Sequence, residues 1–486
     1  MNQRTPVPGL WRYTHADRPE DFTLIVETPD GPHVRRIAPA LPLPPDVEPG
    51  VGAELAIHRA AATWGLPDFV FEPSYAVKGS GRREQGDRLL LSGSRGAVLQ
   101  SKRRTVSPAD ADGERSWLQK NATKALKQAK GTVRQLRLCS AEMTNGRGRT
   151  LQVDGDAYDW IALVVLDHEH VPPETYLDVG TPGMPAVIVT RRDLDFLFHQ
   201  LCSTTAVLDY LFRAADLPAV ALGEEPMRYY ELARADLDAP PGTVDFALLG
   251  PGAQIASAPQ LPQAPAGDED SQAHRMIRII LEDLATSPLN EPITEADRLT
   301  VLHDLDRLPV ATRADWGHLL LEMLDDVPQV PDGHCKWRFR RHVSNDAMRQ
   351  LVFGAATRFA PEIQASFSAY VQLRHHEVRQ QTGDADEAAT LGVLLTPRHD
   401  GYRLWDTTMV RTHGPSQLTA EELQVYGDLW NRNEAGPESA SGLPQPRQDE
   451  SGVAPDATQG LGGEAALELD ADESESRHAG GDSGTM

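Results

Sequence analysis

Gly52-Ala-Glu54-Leu-Ala-Ile-His-Arg-Ala-Ala-Ala-Thr-Trp64-Gly65-Leu-Pro67, Phe69-Val-Phe71, Gly86-Asp87-Arg-Leu-Leu-Leu91-Ser-Gly93-Ser-Arg-Gly96 and Ala97-Val-Leu-Gln100-Ser-Lys102-Arg-Arg104 follow one another within 53 residues. The first has Leu55, Ala56, Ile57, Ala60, Ala61 and Trp64 at i, i+3 and i+4, the period of an amphipathic helix. It opens at Glu54, a carboxylate favoured by the positive end of the helix dipole, and stops at Gly65-Leu-Pro67. Three strands are expected after it, at about 69–77, 87–92 and 96–103. The first two are joined by the basic loop Lys78-Gly-Ser-Gly-Arg-Arg83, the last two by the glycine turn.

Downstream, Ser107–Gly113 reads as a loop and Glu114–Leu136 as a helix. Trp117, Leu118, Ala122, Ala125, Leu126, Ala129 and Val133 supply its apolar stripe. Lys120, Lys124, Lys127, Lys130, Arg134 and Arg137 crowd another side. Two buried strands are expected, Trp160–Leu166 and Ala186–Thr190, then a long helix from about Arg192. The order is helix, three strands, helix and two strands, an α/β unit with one mixed sheet flanked by helices.

The rest divides by composition. Residues 1–49 are Pro-rich, with an edge hairpin about Pro29-Asp-Gly31, and precede the α/β unit of 50–248. Residues 249–272, rich in Pro, Ala, Gly and Gln, read as a linker. Residues 273–430 read as a mostly helical α+β domain, including helix over 345–380 that Pro361 should break or kink. Two short strands are expected there at 391–396 and 402–405, and a last helix capped by Thr419. Residues 431–486 hold twelve acids against three bases and no aromatic residue after Asn431. Such a tail cannot bury enough surface to offset chain entropy, so disorder is expected.

Net charge is −24, which by itself argues against a polyanion partner. Its distribution argues otherwise. Lys78–Arg149 contains seventeen Lys/Arg against six Asp/Glu, and attraction acts over a screening length of about 8–10 Å. No run of eighteen apolar residues and no apolar leader occurs, and Cys139, Cys202 and Cys335 lie far apart without metal spacing. A cytoplasmic protein with no membrane partner and buried free thiols is expected. No phosphate-binding loop or nucleophile elbow is present.

Glu54 on a helix, Asp87 opening a strand, and Gln100 and Lys102 closing the next are parts of one phosphodiester-cleaving chemistry. Hard oxygen ligands from Glu54, Asp87 and Gln100 suit Mg²⁺, or Mn²⁺, which activates water and neutralises the transition state. Lys102, two residues past Gln100, shares its sheet face and could orient the water or stabilise developing charge. At these residues, over about 50–215, the chain resembles the PD-(D/E)xK nuclease superfamily, in particular its Mrr-like restriction endonuclease branch. The helix acid would be Glu54, the sheet acid Asp87, and the last motif Gln100-x-Lys102; Gly86 stands where the family carries proline. The resemblance implies a restriction-endonuclease-like αβββαβ core and a metal-dependent endonuclease, acting on DNA rather than RNA in a bacterial defence setting. It also implies a homodimer as an expectation, with the C-terminal domain setting target or protein partner. Arg103, Arg104, Lys120, Lys124, Lys127 and Arg134 would contact nucleic acid.

Plainer readings compete at each point. The nuclease fold could persist without catalysis, as a nucleic-acid-binding or protein-interaction module. Asp87 and Gln100 could be ordinary strand-end residues, with Lys102-Arg-Arg104 a solvated edge. Lys336-Trp-Arg-Phe-Arg-Arg341 interleaves bases with aromatics as single-strand binders do, or is a half-buried strand with an outward basic face. His168-Glu-His170 reads as exposed polar residues rather than a zinc pair. Should the acidic tail cover the basic segment, deleting residues 431–486 should raise DNA affinity in a low-salt gel shift; equal affinity would refute the cover.

Overall fold

The computed structural model describes residues 9–15, 18–28, 31–43, 46–73, 75–78, 81–84, 88–105, 110–177, 183–238, 261–262, 270–289, 293–330, 335–343, 349–382, 388–398, 405–416, 418–430 and 450–453. The first of these residues form an antiparallel meander, β1 (Leu10–His15), β2 (Arg18–Thr28) and β3 (Gly31–Ile37), one strand more than the expected hairpin. Leu10, Phe22, Leu24, Val26 and Ile37 bury its inner face in the same core as the helices after residue 190.

Helix α1 (Pro49–Trp64) begins five residues before Glu54, because Pro49 sits at its first position and Glu48 caps it, accepting from Val51 N at 2.9 Å. Ala53, Ile57 and Ala61 form its fully buried face. Strands β4 (Val70–Pro73), β7 (Arg88–Ser92) and β8 (Arg95–Arg103) then pair antiparallel. The segment expected as a flexible basic loop carries a hairpin, β5 (Tyr75–Lys78) with β6 (Gly81–Glu84).

Helix α2 (Ala111–Leu138) is capped by Asp110, which accepts from Gly113 N at 2.8 Å. A hairpin the sequence did not reveal, β9 (Ala141–Asn145) and β10 (Thr150–Val153), pairs with β4 and extends the sheet. Strand β11 (Asp159–Asp167) runs parallel to β8, from Asp159 opposite Arg95 to Asp167 opposite Arg103, and β12 (Ala186–Thr190) runs parallel to β11. The sheet order is β10-β9-β4-β7-β8-β11-β12. Trp160–Leu166 is buried throughout, as a central parallel strand covered on both faces requires. The long helix expected from Arg192 is two, α3 (Arg191–Leu201) and α4 (Thr204–Ala215). Cys202 breaks it in the left-handed conformation at φ 50°, and Ser203 caps the second. Arg313 donates to the Leu201 and Cys202 carbonyls at 2.8 and 2.7 Å, fixing that break. Helix α5 (Glu225–Asp238) completes the layer.

The second unit opens with α6 (Ser271–Thr286), α7 (Glu295–Asp306) and α8 (Val310–Asp326). A five-stranded sheet follows, where two short strands were expected. Its strands are β13 (Lys336–Val343), β14 (Arg349–Ala356), β15 (Ala389–Pro397), β16 (Trp405–His413) and β17 (Glu450–Val453), in the order β16-β15-β14-β13-β17. Helix α9 (Pro361–Thr382) joins the parallel pair β14–β15, and α10 (Ala420–Trp430) follows β16. The expected helix over 345–380 is strand up to Ala356, and Pro361 starts a helix rather than breaking one. Strand β17 falls inside the tail expected to be disordered; residues 431–449 and 454–486 lie outside the described residues.

The two units are joined along α6–α8. Leu66 and Phe69 belong to the apolar cluster of Met276, Ile280, Trp316 and Leu320. Between them Asp68 has no exposed surface and accepts from Arg147 at 2.5 Å and Arg149 at 3.2 Å; Arg147 also holds Glu282 at 2.5 Å. Of the expected linker, Leu261 is buried and donates its N–H to Asp236 at 2.8 Å. Asp68→Ala should destabilise the fold by about 3–5 kcal/mol, because it strands two partly buried guanidinium groups. Urea unfolding of the variant against Asp68→Asn checks this, and equal midpoints for wild type and Asp68→Ala would refute it.

Candidate nucleic-acid interface and the two faces of the sheet

Strand β8 sorts its side chains by parity. Ala97 and Leu99 share a core with Ile57 and Ala61 of α1, whereas Val98 shares one with Leu118, Ala122 and Leu126 of α2. The same alternation runs along β11, Ile161, Leu163 and Val165 on the α1 face and Ala162, Val164 and Leu166 on the α2 face. Gln100 and Lys102 pair with Val164 and Leu166 and therefore face α2. Lys102 Nζ lies 3.5 Å from Gln100 Oε1, and Gln100 is buried.

Glu54 is on the other face. Arg88, opposite Leu99 in the ladder, contacts Glu54 at 3.4 Å and Glu72 at 3.4 Å, and His58 lies 3.6 Å from Glu72. Burial first, and Arg88 after it, hold the His58 imidazole below its usual pKa against the pull of Glu72. Arg88 thus neutralises both acids. The signal for this quartet was parity: Glu72 and Arg88 meet only once the register of β4 on β7 is known.

The four expected site residues are therefore not one pocket. Gln100 and Lys102 meet; Glu54 lies across the sheet from both; Asp87 lies outside the described residues. Glu54 and Gln100 cannot ligate the same ion, so the expected Mg²⁺ or Mn²⁺ ligand set does not fit this geometry. Among the described residues no group of three or more His, Cys, Asp or Glu side chains is arranged to hold a metal. An apolar pocket beside β12, lined by Leu177, Ile188, Ala214 and Leu222, includes none of the expected residues.

At the carboxyl ends of β8 and β11 the two faces carry separate charge clusters. On the α2 face Arg104 grips buried Glu114 at 3.0 and 2.8 Å and lies over Trp117. His168 meets the same carboxylate at 2.6 Å. Its side chain is only 2% exposed, so it is a core partner rather than the exposed polar residue expected. On the α1 face Asp167 joins Arg103 at 2.8 Å to Arg191 at 3.2 Å. Burial, and Asp167 after opposition from Arg191, push the nearby Asp195 carboxyl up to about 6.

Arg103 and Arg104, expected on nucleic acid, are thus engaged internally. The expected contacts that stand clear are on α2. Lys120, Lys124, Lys127 and Arg134 are exposed, and among the described residues none of the four forms an ion pair. Lys336–Arg341 is the half-buried strand: Trp337 and Phe339 are buried, while Arg338 and Arg340 pair with Glu322 and Asp315. The three cysteines are free, but Cys139 is exposed rather than buried. No helix among the described residues is long and apolar enough to cross a membrane.

The chain matches no protein-family model, no curated protein and no solved structure.

With its folded pKa about 6 against an ordinary value near 3.9, Asp195 takes up its proton earlier in the folded chain. Its contribution is least unfavourable below about pH 4 and becomes a full penalty above pH 6. Asp195→Asn should therefore raise stability at pH 7.5 by about 2–3 kcal/mol and by no more than about 1 kcal/mol at pH 4.5. Melting temperatures at both pH values check this; parallel profiles for variant and wild type would refute it.

Proposed function

We propose that this chain binds nucleic acid, DNA in the first instance, through the α2 face of a restriction-endonuclease-like core. The element order supports that core: a helix, three antiparallel strands, a crossover helix, and a strand parallel to the third. The observation that carries the binding reading is that Lys120, Lys124, Lys127 and Arg134 of α2 are exposed and form no ion pair among the described residues, in a chain whose acids outnumber its bases 71 to 47. Acids are available to neutralise these cations, and elsewhere they neutralise arginines; here the fold leaves the charge to solvent. From Lys120 to Arg134 the stripe spans about 21 Å, a length over which a duplex carries on the order of twelve phosphates. Binding rests on phosphate charge and needs no metal, which accords with Glu54 standing apart from Gln100.

The Gln100–Lys102 contact favours a second reading, a Mg²⁺-dependent nuclease with Asp87, Gln100 and Lys102 as its site. Glu54 has no part in that site. The two readings separate in one assay. Binding without cleavage in Mg²⁺ supports the first; cleavage lost in both Asp87→Ala and Lys102→Ala supports the second.

Replacing Lys120, Lys124, Lys127 and Arg134 together by Gln should weaken duplex binding and lower the slope of log affinity against log salt by about 3–4. Fluorescence anisotropy over a salt series measures this, and an unchanged slope would remove the α2 face from the proposal.

A further inference from the structure

Strand β12 ends the seven-stranded sheet and pairs with β11 on one side only. The ladder fixes which of its backbone groups are used. Ala162 donates its N–H to the Pro185 carbonyl at 2.9 Å and stands opposite Ala186. In a parallel ladder the groups of Val187 and Val189 therefore turn toward β11, and those of Ala186 and Ile188 turn away. Thr190, next in that outward series, gives its N–H to Asp193 at 3.0 Å. Among the described residues no hydrogen bond reaches the N–H or C=O of Ala186 or Ile188. Both residues are half-buried rather than enclosed.

An open edge of this kind is a template for another extended chain, and charged side chains commonly blunt it. Two other edge strands of this protein are blunted so: β3 carries Arg35 and Arg36, and β16 carries Asp406 and Arg411. Strand β12, Ala186-Val-Ile-Val-Thr190, carries no charge. Beside it lies the apolar pocket between the strand and the end of α4, whose walls include Val187, Ala215, Leu217 and Leu222. Arg228, the charged member of the lining, is committed to Glu225 at 2.6–3.0 Å and to the Ala214 carbonyl at 3.2 Å. The pocket's volume is about 50 Å³. That is about a third of the ~150 Å³ that admits benzene, so it suits one short aliphatic side chain.

From these two features we infer that the β12 edge docks an extended, uncharged aliphatic segment of a partner protein. The segment's backbone continues the sheet past Ala186 and Ile188, and one valine-sized side chain enters the pocket. A small apolar molecule would fill the pocket and leave the backbone groups unmet. A helix would bring no free backbone groups to the edge. A strand meets both demands at once. The inference is independent of the nucleic-acid reading, because no residue of α2 lines the pocket.

The probe is a fluorescein-labelled heptapeptide of alternating threonine and valine between terminal lysines, titrated with the full chain and followed by anisotropy. Wild type should bind it saturably. The same peptide N-methylated at its three central residues loses its donors on both edges and should bind about tenfold more weakly or worse. Ala215→Leu fills the pocket from α4 and should weaken binding by about tenfold or more, with the melting temperature and duplex affinity of wild type. Should that variant melt lower, Ala219→Leu, exposed at the pocket rim, makes the same test. The site is overturned if wild type does not bind the peptide, or if N-methylation or pocket filling leaves binding unchanged. It is overturned equally if wild type sediments as a dimer that Ile188→Lys, at an unchanged melting temperature, renders monomeric; the edge then belongs to a second copy of this chain.

Discussion

Asp68 is a carboxylate with no exposed surface, and its geometry fixes three parts of the molecule at once. It lies in the short turn Pro67–Phe69, which delivers α1 into β4. Its oxygens hold Arg147 and Arg149, both in the turn between β9 and β10. Asn145 completes the frame, donating to the Asp68 carbonyl and accepting from the N–H groups of Arg147 and Arg149. Through Arg147 and Arg149 the network reaches Glu282, Glu295 and the Ala285 carbonyl, on or beside the helices that dock the second unit. Burial alone would lower the Arg147 pKa; its bonds to Asp68 and then Glu282 reverse the sign and raise it. A buried charge is tolerated only when paired and fully bonded, so the turn, the hairpin and α6 constrain one another.

That frame fixes the register of β4 on its neighbours, and register decides which chemistry the sheet can host. Side chains alternate with a period of two, so a residue's face follows from its position along the strand. On β8 the odd positions end in Arg103, which reaches Asp167, and Arg104, the residue just past the strand, reaches Glu114. The consecutive arginines point to opposite faces and meet different acids. The same rule parts Glu54 from Lys102, although a reading of element order alone brings them together.

Element order was legible because its signals are local. The i, i+3, i+4 spacing of α2, the unbroken apolar run of β11 and the Thr419 cap each depend on a few neighbouring residues. Pairing is not local. The β9–β10 hairpin is short and polar, and its place beside β4 comes from Asn145, Gly146 and Asp68, far apart in sequence. Strand β14 was misread because Leu351-Val-Phe353 is buried on both faces, and a short continuous apolar run fits a helix or a strand equally. In the candidate site, Gln100 beside Lys102 could be read from their spacing; Glu54 beside Arg88, and His168 beside Glu114, could not.

The basic excess of residues 78–149 was also legible as a total, but it divides in a way composition cannot show. Its arginines largely turn inward: Arg88 to Glu54 and Glu72, Arg95 to Asp209, Arg103 to Asp167, Arg104 to Glu114, and Arg147 and Arg149 to Asp68. Lys120, Lys124 and Lys127 turn outward. The planar guanidinium fork matches a carboxylate and is weakly hydrated, so it suits partly buried pairs; the compact ammonium holds its water and suits a surface. A phosphate backbone binds such a surface by releasing its own counterions, which requires protein cations not already neutralised. The arginines, spent on holding the sheet and its helices together, contribute little to that exchange. The exposed lysines of α2 are what remains without an ion pair among the described residues, and the proposed binding of a polyanion by a chain of net charge −24 would draw on that division.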